Sequence, residues 1–278
     1  MARKIWFITG ISRGFGKALA QAVLARGDVV IGTTRDGAAG LDAGAGALHV
    51  LPLEITDKAA IASCVERAFA LHGHVDVLVN NAGYGLLGAI EESTEEETRR
   101  VFDVNFFGPL ALIKAALPWL RARGRGHILN VSSIAGLAPM AGSGLYAAAK
   151  FALEGMSQSL AQELAPLGIR VTLIEPGAFR TDFLSAHSIR KADTSLEAYA
   201  GTSGKAVRYL EQLEGRQPGD PERGARAILQ AVDARTPPMH LVLGSDALQR
   251  SRAQVALMSR ELDAWEALSR STDFPSEA

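Results

Sequence analysis

The feature that most constrains this chain is a recurrence of short runs that are apolar from end to end. They lie at residues 5–9, 29–34, 48–53, 75–80, 127–132, 170–175 and 240–243. A strand with one wet face alternates apolar and polar residues, whereas an unbroken apolar strand is buried on both faces. Between most of these runs lie longer segments whose apolar residues recur every three or four positions, over 16–26, 58–71, 94–123, 145–167 and 221–234. Strands alternating with amphipathic helices predict an α/β fold, a parallel sheet covered by helices on both sides. A chain of 278 residues is close to the most that one hydrophobic core organises. The expectation is therefore one domain over 1–244, followed by a helical extension over 245–278.

Two stretches break the rhythm. Residues 183–219 are far longer than an ordinary connection. They carry a weak helical pattern (Leu196, Tyr199, Val207, Leu210, Leu213) among Gly201, Gly204, Gly215 and Gly219. A long insertion where strands end is where a substrate lid is expected. In the tail, Asp246 is placed to cap a helix with Leu248, Val255, Leu257, Met258, Leu262, Trp265 and Leu268 on a partly apolar face. That face packs either on its own domain or on another subunit. Residues 271–278 are expected to fray.

Charge and cysteine content exclude several classes. Lys and Arg total 29 against 30 Asp and Glu, a net charge of −1, so no overall field draws nucleic acid or an anionic membrane. Cys64 is the only cysteine, which rules out an intrachain disulfide and suits a reducing cytoplasm. Its spacing with Ile61, Val65, Ala68 and Phe69 predicts a buried structural thiol. No run reaches the roughly 18 apolar residues of a membrane span, and 5–8 is too short for a signal peptide. A soluble, cytoplasmic protein is expected, and the sequence points to no metal site.

Where the first strand meets the first helix the chain reads Thr9-Gly10-Ile11-Ser12-Arg13-Gly14-Phe15-Gly16. Glycines here let backbone N–H groups and a helix N-terminus approach a pyrophosphate. The spacing is G-x-x-x-G-x-G. At the end of the second strand, where an acid would hold the ribose hydroxyls of NAD, stands Thr34 followed by Arg35. Arg35 and Arg13 are expected to face the 2′-phosphate of NADP, with Asp36 orienting Arg35 or pointing to water.

Tyr146 and Lys150 are one helical turn apart and share a face. A free phenol, with a pKa near 10, is a poor proton relay at neutral pH. A lysine cation about 5 Å away, at an effective dielectric near 20, favours phenolate by roughly 3 kcal/mol. On that reasoning Tyr146 is brought toward neutrality. Thirteen residues earlier, Ser132-Ser133-Ile134-Ala135-Gly136 ends a strand; Asn80-Asn81-Ala82-Gly83 ends another, and Asn105 falls within a helix.

With the glycine turn, these motifs resemble the classical short-chain dehydrogenase/reductase family in order and over almost the whole chain, from residue 5 to about 243. The resemblance implies a Rossmann-type, doubly wound, seven-stranded parallel sheet between two helical layers. It also implies roles: Tyr146 as acid/base and Ser133, two residues before Ala135-Gly136, as the second hydroxyl on the substrate oxygen. Lys150 would hold the nicotinamide ribose and lower the tyrosine pKa, and Asn105 would hold a water in the proton relay. Gly10, Ser12, Arg13, Gly14, Phe15, Gly16 and Arg35 would bind the cofactor. So would Asn81, Ala82 and Gly83 on the adenosine side, and Pro176, Gly177, Phe179 and Thr181 beside the nicotinamide and phosphates. One departure stands out: Glu54-Ile55 replaces the family's Asp before a hydrophobic residue, which predicts weaker or rearranged adenine contact.

The implied activity is reversible hydride transfer between NADPH, preferred over NADH, and a ketone or secondary alcohol. The wall expected at 136–145 and in the insertion offers Leu137, Met140, Leu145, Phe183 and Leu184, which suits an apolar or aromatic substrate. Arg180 and Arg190 are the cations in reach. Phe-Phe-Gly after Asn105 and the C-terminal helix resemble a subgroup of 17β-hydroxysteroid and retinol dehydrogenases. A homo-oligomer, dimer or tetramer, is implied through 94–123 and 145–167. Two other readings remain: a catalytically silent NADPH-binding sensor or scaffold, and an epimerase or dehydratase on the same fold.

Overall fold

In the computed structural model, which describes residues 3–185 and 188–274, the first strand has all its neighbours in parallel. The elements in chain order are β1 (Ile5–Thr9), α1 (Gly14–Ala25), β2 (Val29–Thr34), β3 (Ala47–Pro52), α2 (Lys58–His72), β4 (Val77–Asn80) and β5 (Gly85–Leu87). There follow α3 (Glu95–Phe102), α4 (Gly108–Arg123), β6 (Gly126–Val131), α5 (Gly144–Leu164), β7 (Ile169–Pro176) and β8 (Ile189–Lys191). The chain then forms α6 (Ser203–Leu213), α7 (Pro221–Asp233), β9 (His240–Leu243) and α8 (Ser245–Arg270). Seven strands make one parallel sheet in the order β3-β2-β1-β4-β6-β7-β9. The order reverses between β1 and β4, which opens a crevice at the carboxyl ends of the strands.

The two-sided burial expected from the apolar runs is visible within β1. Phe7 joins a core with Phe69, Leu112, Leu120 and Leu160 from α2, α4 and α5. Its neighbours Trp6 and Ile8 join the opposite core, with Leu19, Val23 and Ile228 from α1 and α7. Local chemistry sets the helix starts. Asp57 accepts from the Ala59 and Ala60 N–H groups at 2.9 and 3.0 Å, and Asp220 accepts from those of Glu222 and Arg223 at 2.8 and 3.2 Å. Thr94 and Glu97 form a reciprocal capping box at the start of α3. Cys64 is buried as expected, and burial pushes its thiol up to about 11.

Several expectations need correction. The strand expected at 75–80 begins at Val77; Asp76, just before it, bonds through its backbone to Ile5 O and His127 N, and its carboxylate accepts from the Ile5 N–H at 2.9 Å and pairs with Arg123 at 2.8 Å. The helix expected over 94–123 is interrupted by a π-helical turn at Asp103–Phe107, where the Gly108 N–H reaches back five residues to Asp103 O. Pro109 follows and has no N–H for the Asn105 carbonyl, which removes one bond of a regular α-helical ladder there. The rod Glu95–Arg123 is long and apolar enough, by length and composition alone, to cross a membrane, although it holds no unbroken apolar run of that length. Its Leu112, Ile113, Ala116 and Leu120 are nonetheless spent in the core of this domain.

Asp246 does not cap α8. Its carboxylate accepts from the Ala178 N–H at 2.8 Å, so it ties the root of α8 to the loop after β7. The insertion carries α6, a single turn at Glu197–Tyr199 and a short strand, β8, that pairs in parallel with β5. Neither strand of this small sheet was foreseen. Glu92, itself buried, clamps the insertion by accepting from Ala89 N at 2.7 Å and Leu196 N at 2.8 Å.

A buried polar chain crosses the sheet from β4 to α5: Asn80 Nδ2 donates to Asn130 Oδ1 at 2.7 Å, and Asn130 Nδ2 donates to Ser157 Oγ at 2.8 Å. Truncating the middle member leaves the Asn80 amide without its partner, while Ser157 keeps its bond to Leu153 O, and a buried unsatisfied group costs about 1–3 kcal/mol. Asn130→Ala is therefore expected to lower Tm by several degrees, measured by calorimetry, far more than an exposed control such as Gln158→Ala.

Candidate active site

A cavity of about 840 Å³ lies along the carboxyl edge of the sheet and reaches from Arg35, past Tyr146, to Leu257 on α8. The sequence-derived residues Gly10, Ser12, Arg13, Gly14, Phe15, Arg35, Glu54, Ile55, Asn81, Ala82 and Gly83 line it. So do Asn105, Ser133, Tyr146, Lys150, Pro176, Gly177, Phe179 and Thr181. Gly16 is the exception: it lies beneath the turn, where a Cβ would stand 2.3 Å from both Asn81 Nδ2 and Gly10 O. Its glycine is demanded by helix-to-loop packing rather than by a ligand. Gly14 has φ +60°, a left-handed conformation that favours glycine.

The turn is held by β4. Thr9 Oγ1 accepts from the Asn81 and Ala82 N–H groups at 2.9 and 3.0 Å, and Asn81 Nδ2 donates to the carbonyls of Thr9 and Gly10 at 2.9 and 3.0 Å. The Asn81 side chain, expected on a ligand, is thus spent on scaffolding. Glu54 likewise turns to Thr56, accepting from its hydroxyl at 3.0 Å. Asp36 makes no hydrogen bond to Arg35 but is exposed to water, as one of the two expectations had it. It accepts from Thr34 Oγ1 at 3.0 Å and Ala38 N at 3.2 Å, bonds that hold its carboxyl below the usual range.

The fold brings the four predicted polar residues to one place. Ser133 follows the end of β6 and caps the next turn, accepting from Ala135 N at 3.1 Å. Tyr146 and Lys150 are buried on the first turns of α5, with Lys150 Nζ 5.7 Å from the phenol ring centre. Lys150 donates to Val131 O at 2.9 Å. Asn105, buried in the π turn, donates to Tyr84 O and Val101 O, both at 3.0 Å, and leaves its Oδ1 without a partner. A Cβ on Gly83 would sit 2.7 Å from that oxygen. An unpaired buried acceptor beside a glycine is the signature expected where a water or ligand completes the site.

One electrostatic expectation fails. Burial pushes the Tyr146 phenol up to about 12, and a hydrogen bond from Ser133 is the only opposing influence. Burial also pulls Lys150 down to about 8, partly offset by Glu154. The Coulomb argument assumed a lysine cation at no cost. Here both charged forms lose hydration, and desolvation outweighs their attraction.

The substrate-side wall also differs from the expected one. Met140, Phe183 and Leu184 line the cavity, but Leu137 packs toward Ala247 and Leu145 toward Leu86. Tyr209, Leu210 and Leu213 of α6 and Leu257 of α8 supply apolar wall instead. Arg180 is spent on Gln217 O, whereas Arg190 and the unforeseen Arg100 and Arg250 line the cavity.

Behind Lys150 lies a group that the sequence did not reveal. Glu154 (α5) and Glu175 (β7) are buried side by side, with His240 Nδ1 2.6 Å from Glu175 and 3.7 Å from Glu154. The ligand-type atoms of the three residues lie within 4.8 Å of one another, close enough to hold a cation. Burial pushes both carboxyls well above the ordinary range, and the two interact directly. A glutamate on a helix surface normally reads as solvated, and only the tertiary approach of β7 makes this one different.

Comparison with known proteins agrees with this architecture. The family model for short chain dehydrogenase matches residues 4–192. A short-chain dehydrogenase structure from Streptomyces avermitilis superposes with a TM-score of 0.89 at 42% identity, covering 98% of this chain and 99% of that one. A 3-ketodihydrosphingosine reductase of Bacteroides thetaiotaomicron is 37% identical over 88% of this chain and 89% of its own. Human retinol dehydrogenase 8 is 34% identical over 84% and 78%, respectively. A doubly wound sheet with a crevice at its reversal point is the architecture of dinucleotide-binding proteins. The chain belongs to the short-chain dehydrogenase/reductase family and has the general NAD(P)-dependent oxidoreductase activity of that fold.

The raised carboxyl pair makes a prediction with a definite sign. The folded chain keeps a proton on Glu154 and Glu175 at pH values where the unfolded chain has lost it. That contribution to stability is present in acid and disappears as pH rises toward neutrality and beyond. His127, whose imidazole burial pulls down to about 4, acts in the opposite sense, so the comparison must be with Glu154→Gln. Between pH 5 and pH 8 the variant's Tm is expected to rise relative to wild type; parallel curves would exclude a shared proton.

Proposed function

We propose that this protein is an NADPH-dependent carbonyl reductase, or secondary alcohol dehydrogenase, for apolar or aromatic substrates. The carrying observation is the convergence of Ser133, Tyr146, Lys150 and Asn105 on one cavity that also holds the glycine turn. A silent NADPH-binding sensor or scaffold would not need that convergence. Within the reading, Tyr146 is the proton donor to the substrate oxygen and Ser133 the second hydroxyl polarising it. In the ligand-free site burial keeps Tyr146 protonated, so it starts as the donor, and its acidity has to be raised by the bound cofactor and substrate. Lys150 and a water on the open Asn105 Oδ1 return the proton to Tyr146. NADPH, when bound, supplies hydride to the carbonyl carbon. Arg13 and Arg35 hold its 2′-phosphate, with Thr34 offering no competing charge.

The apolar wall formed by Met140, Phe183, Leu210 and Leu257 supports a lipid-like or polycyclic ketone. The relatives named for a ketodihydrosphingosine and for retinol point the same way. Residues 183–219 serve as the substrate lid, and the enzyme works as a homo-oligomer in the cytoplasm.

Initial rates with NADPH and NADH over a panel of aliphatic, aryl and polycyclic ketones test the whole reading. Tyr146→Phe is expected to remove nearly all turnover and leave NADPH affinity, measured by fluorescence, close to unchanged. Substantial residual turnover would reject the donor assignment. A charge-assisted contact is worth about 1.5–3 kcal/mol, so Arg35→Ala is expected to lower kcat/KM for NADPH by roughly ten- to a hundred-fold with little effect on NADH. Equal losses with both cofactors would count against the NADP preference.

A further inference from the structure

The cavity, the Glu154–Glu175 pair and the core account for most of the molecule, but not for its last helix. After Gln254 every residue of α8 as far as Arg270 is exposed, although Leu257 still reaches the cavity. Val255 is 70% and Leu262 67% exposed, and Leu257, Met258, Trp265 and Leu268 are exposed with them. A free helical segment of this length is marginal in water on its own, and an apolar strip of this size on one element marks an interaction surface.

The strip has a seven-residue repeat. Leu248, Val255 and Leu262 occupy one position, and Met258 and Trp265 the position three residues later, the pattern of a two-helix seam. Charge varies along the same helix. The first half presents Arg252 alone, because Asp246 is tied to Ala178 and Arg250 donates to Ala138 O, whereas the second half carries Glu261, Asp263 and Glu266 against Arg260 and Arg270. A helix positive at one end and negative toward the other complements its own antiparallel copy. Four arginines balance four acids over α8, so the helix lacks the basic excess that draws an amphipathic segment to an anionic bilayer.

We infer that α8 pairs antiparallel with the α8 of a second copy of this chain, about a two-fold axis close to Ser259 and Arg260. In that register Val255 meets Trp265 of the other copy, Met258 meets Leu262, and Arg252 stands opposite Glu266. Glu261 approaches its own counterpart, the one like-charge contact near the axis. The face of α8 turned toward the domain carries Arg250, Gln254 and Leu257, which line the cavity. Pairing the exposed face therefore fixes one wall of the substrate site. This surface is distinct from the α4 and α5 surfaces implied by the family resemblance.

The test uses the protein's single, buried thiol, Cys64, as a silent background. Ser259→Cys places an accessible thiol beside the axis, whereas Arg270→Cys places it about 30 Å from its counterpart at 1.5 Å per residue. A short bis-maleimide is expected to convert Ser259→Cys into a covalent dimer and to leave Arg270→Cys uncrosslinked. Adding Leu262→Glu to Ser259→Cys should abolish the crosslink and halve the mass seen by light scattering, with NADPH affinity retained. No crosslink at Ser259→Cys, equal crosslinking at both sites, or a mass unchanged by Leu262→Glu would overturn the pairing. So would uptake of wild type by phosphatidylcholine–phosphatidylserine vesicles with no dimer in solution.

Discussion

Desolvation at the carboxyl edge of the sheet is the constraint on which the rest of the site depends. Tyr146 and Lys150 stand where β1, β4 and β6 end, under the insertion and against the π turn. In that setting both ionised forms are disfavoured, so the phenol remains a phenol and the lysine is held near the pH of its own neutralisation. An exposed Tyr–Lys pair on a helix would have neither property. The apolar strands matter to function because they bury the place where the chemistry happens.

Holding such groups dry requires hydrogen bonds elsewhere, and the fold spends its buried polar residues accordingly. Thr9 and Asn81 lock the glycine turn to β4; Asn80, Asn130 and Ser157 lock the sheet to the helix bearing the tyrosine. Lys150 is anchored to Val131 O, next to the two serines. The π turn delivers Asn105 with one acceptor left over. Each device converts a sequence-local polar residue into a fixed direction; away from the cavity, the unpaired buried side-chain atoms among the described residues belong to Asn80, Glu154 and Glu175.

Much of this was legible in the sequence because continuous apolar runs and a glycine turn have few structural interpretations. The sheet, its helical layers and the location of the cavity follow from them. The catalytic constellation was legible only through motif order, since Tyr and Lys four residues apart are otherwise an ordinary helix surface. What escaped was set by tertiary approach. Glu154 reads as solvated until β7 brings Glu175 beside it; Leu137 and Leu145 read as cavity wall until Ala247 and Leu86 claim them. Asp246 reads as a cap until Ala178 offers it an N–H. The sign of the tyrosine shift was missed because a pairwise charge argument omits the hydration lost by both partners.

The central claim, that desolvation rather than the lysine charge governs Tyr146, is open to direct titration. Phenolate absorbance of the ligand-free protein minus that of Tyr146→Phe isolates this one residue. The difference signal is expected to rise only above pH 10, in keeping with a phenol pushed up to about 12. A step near pH 7 would show that the lysine charge prevails over burial, and the account of the site would have to be reversed.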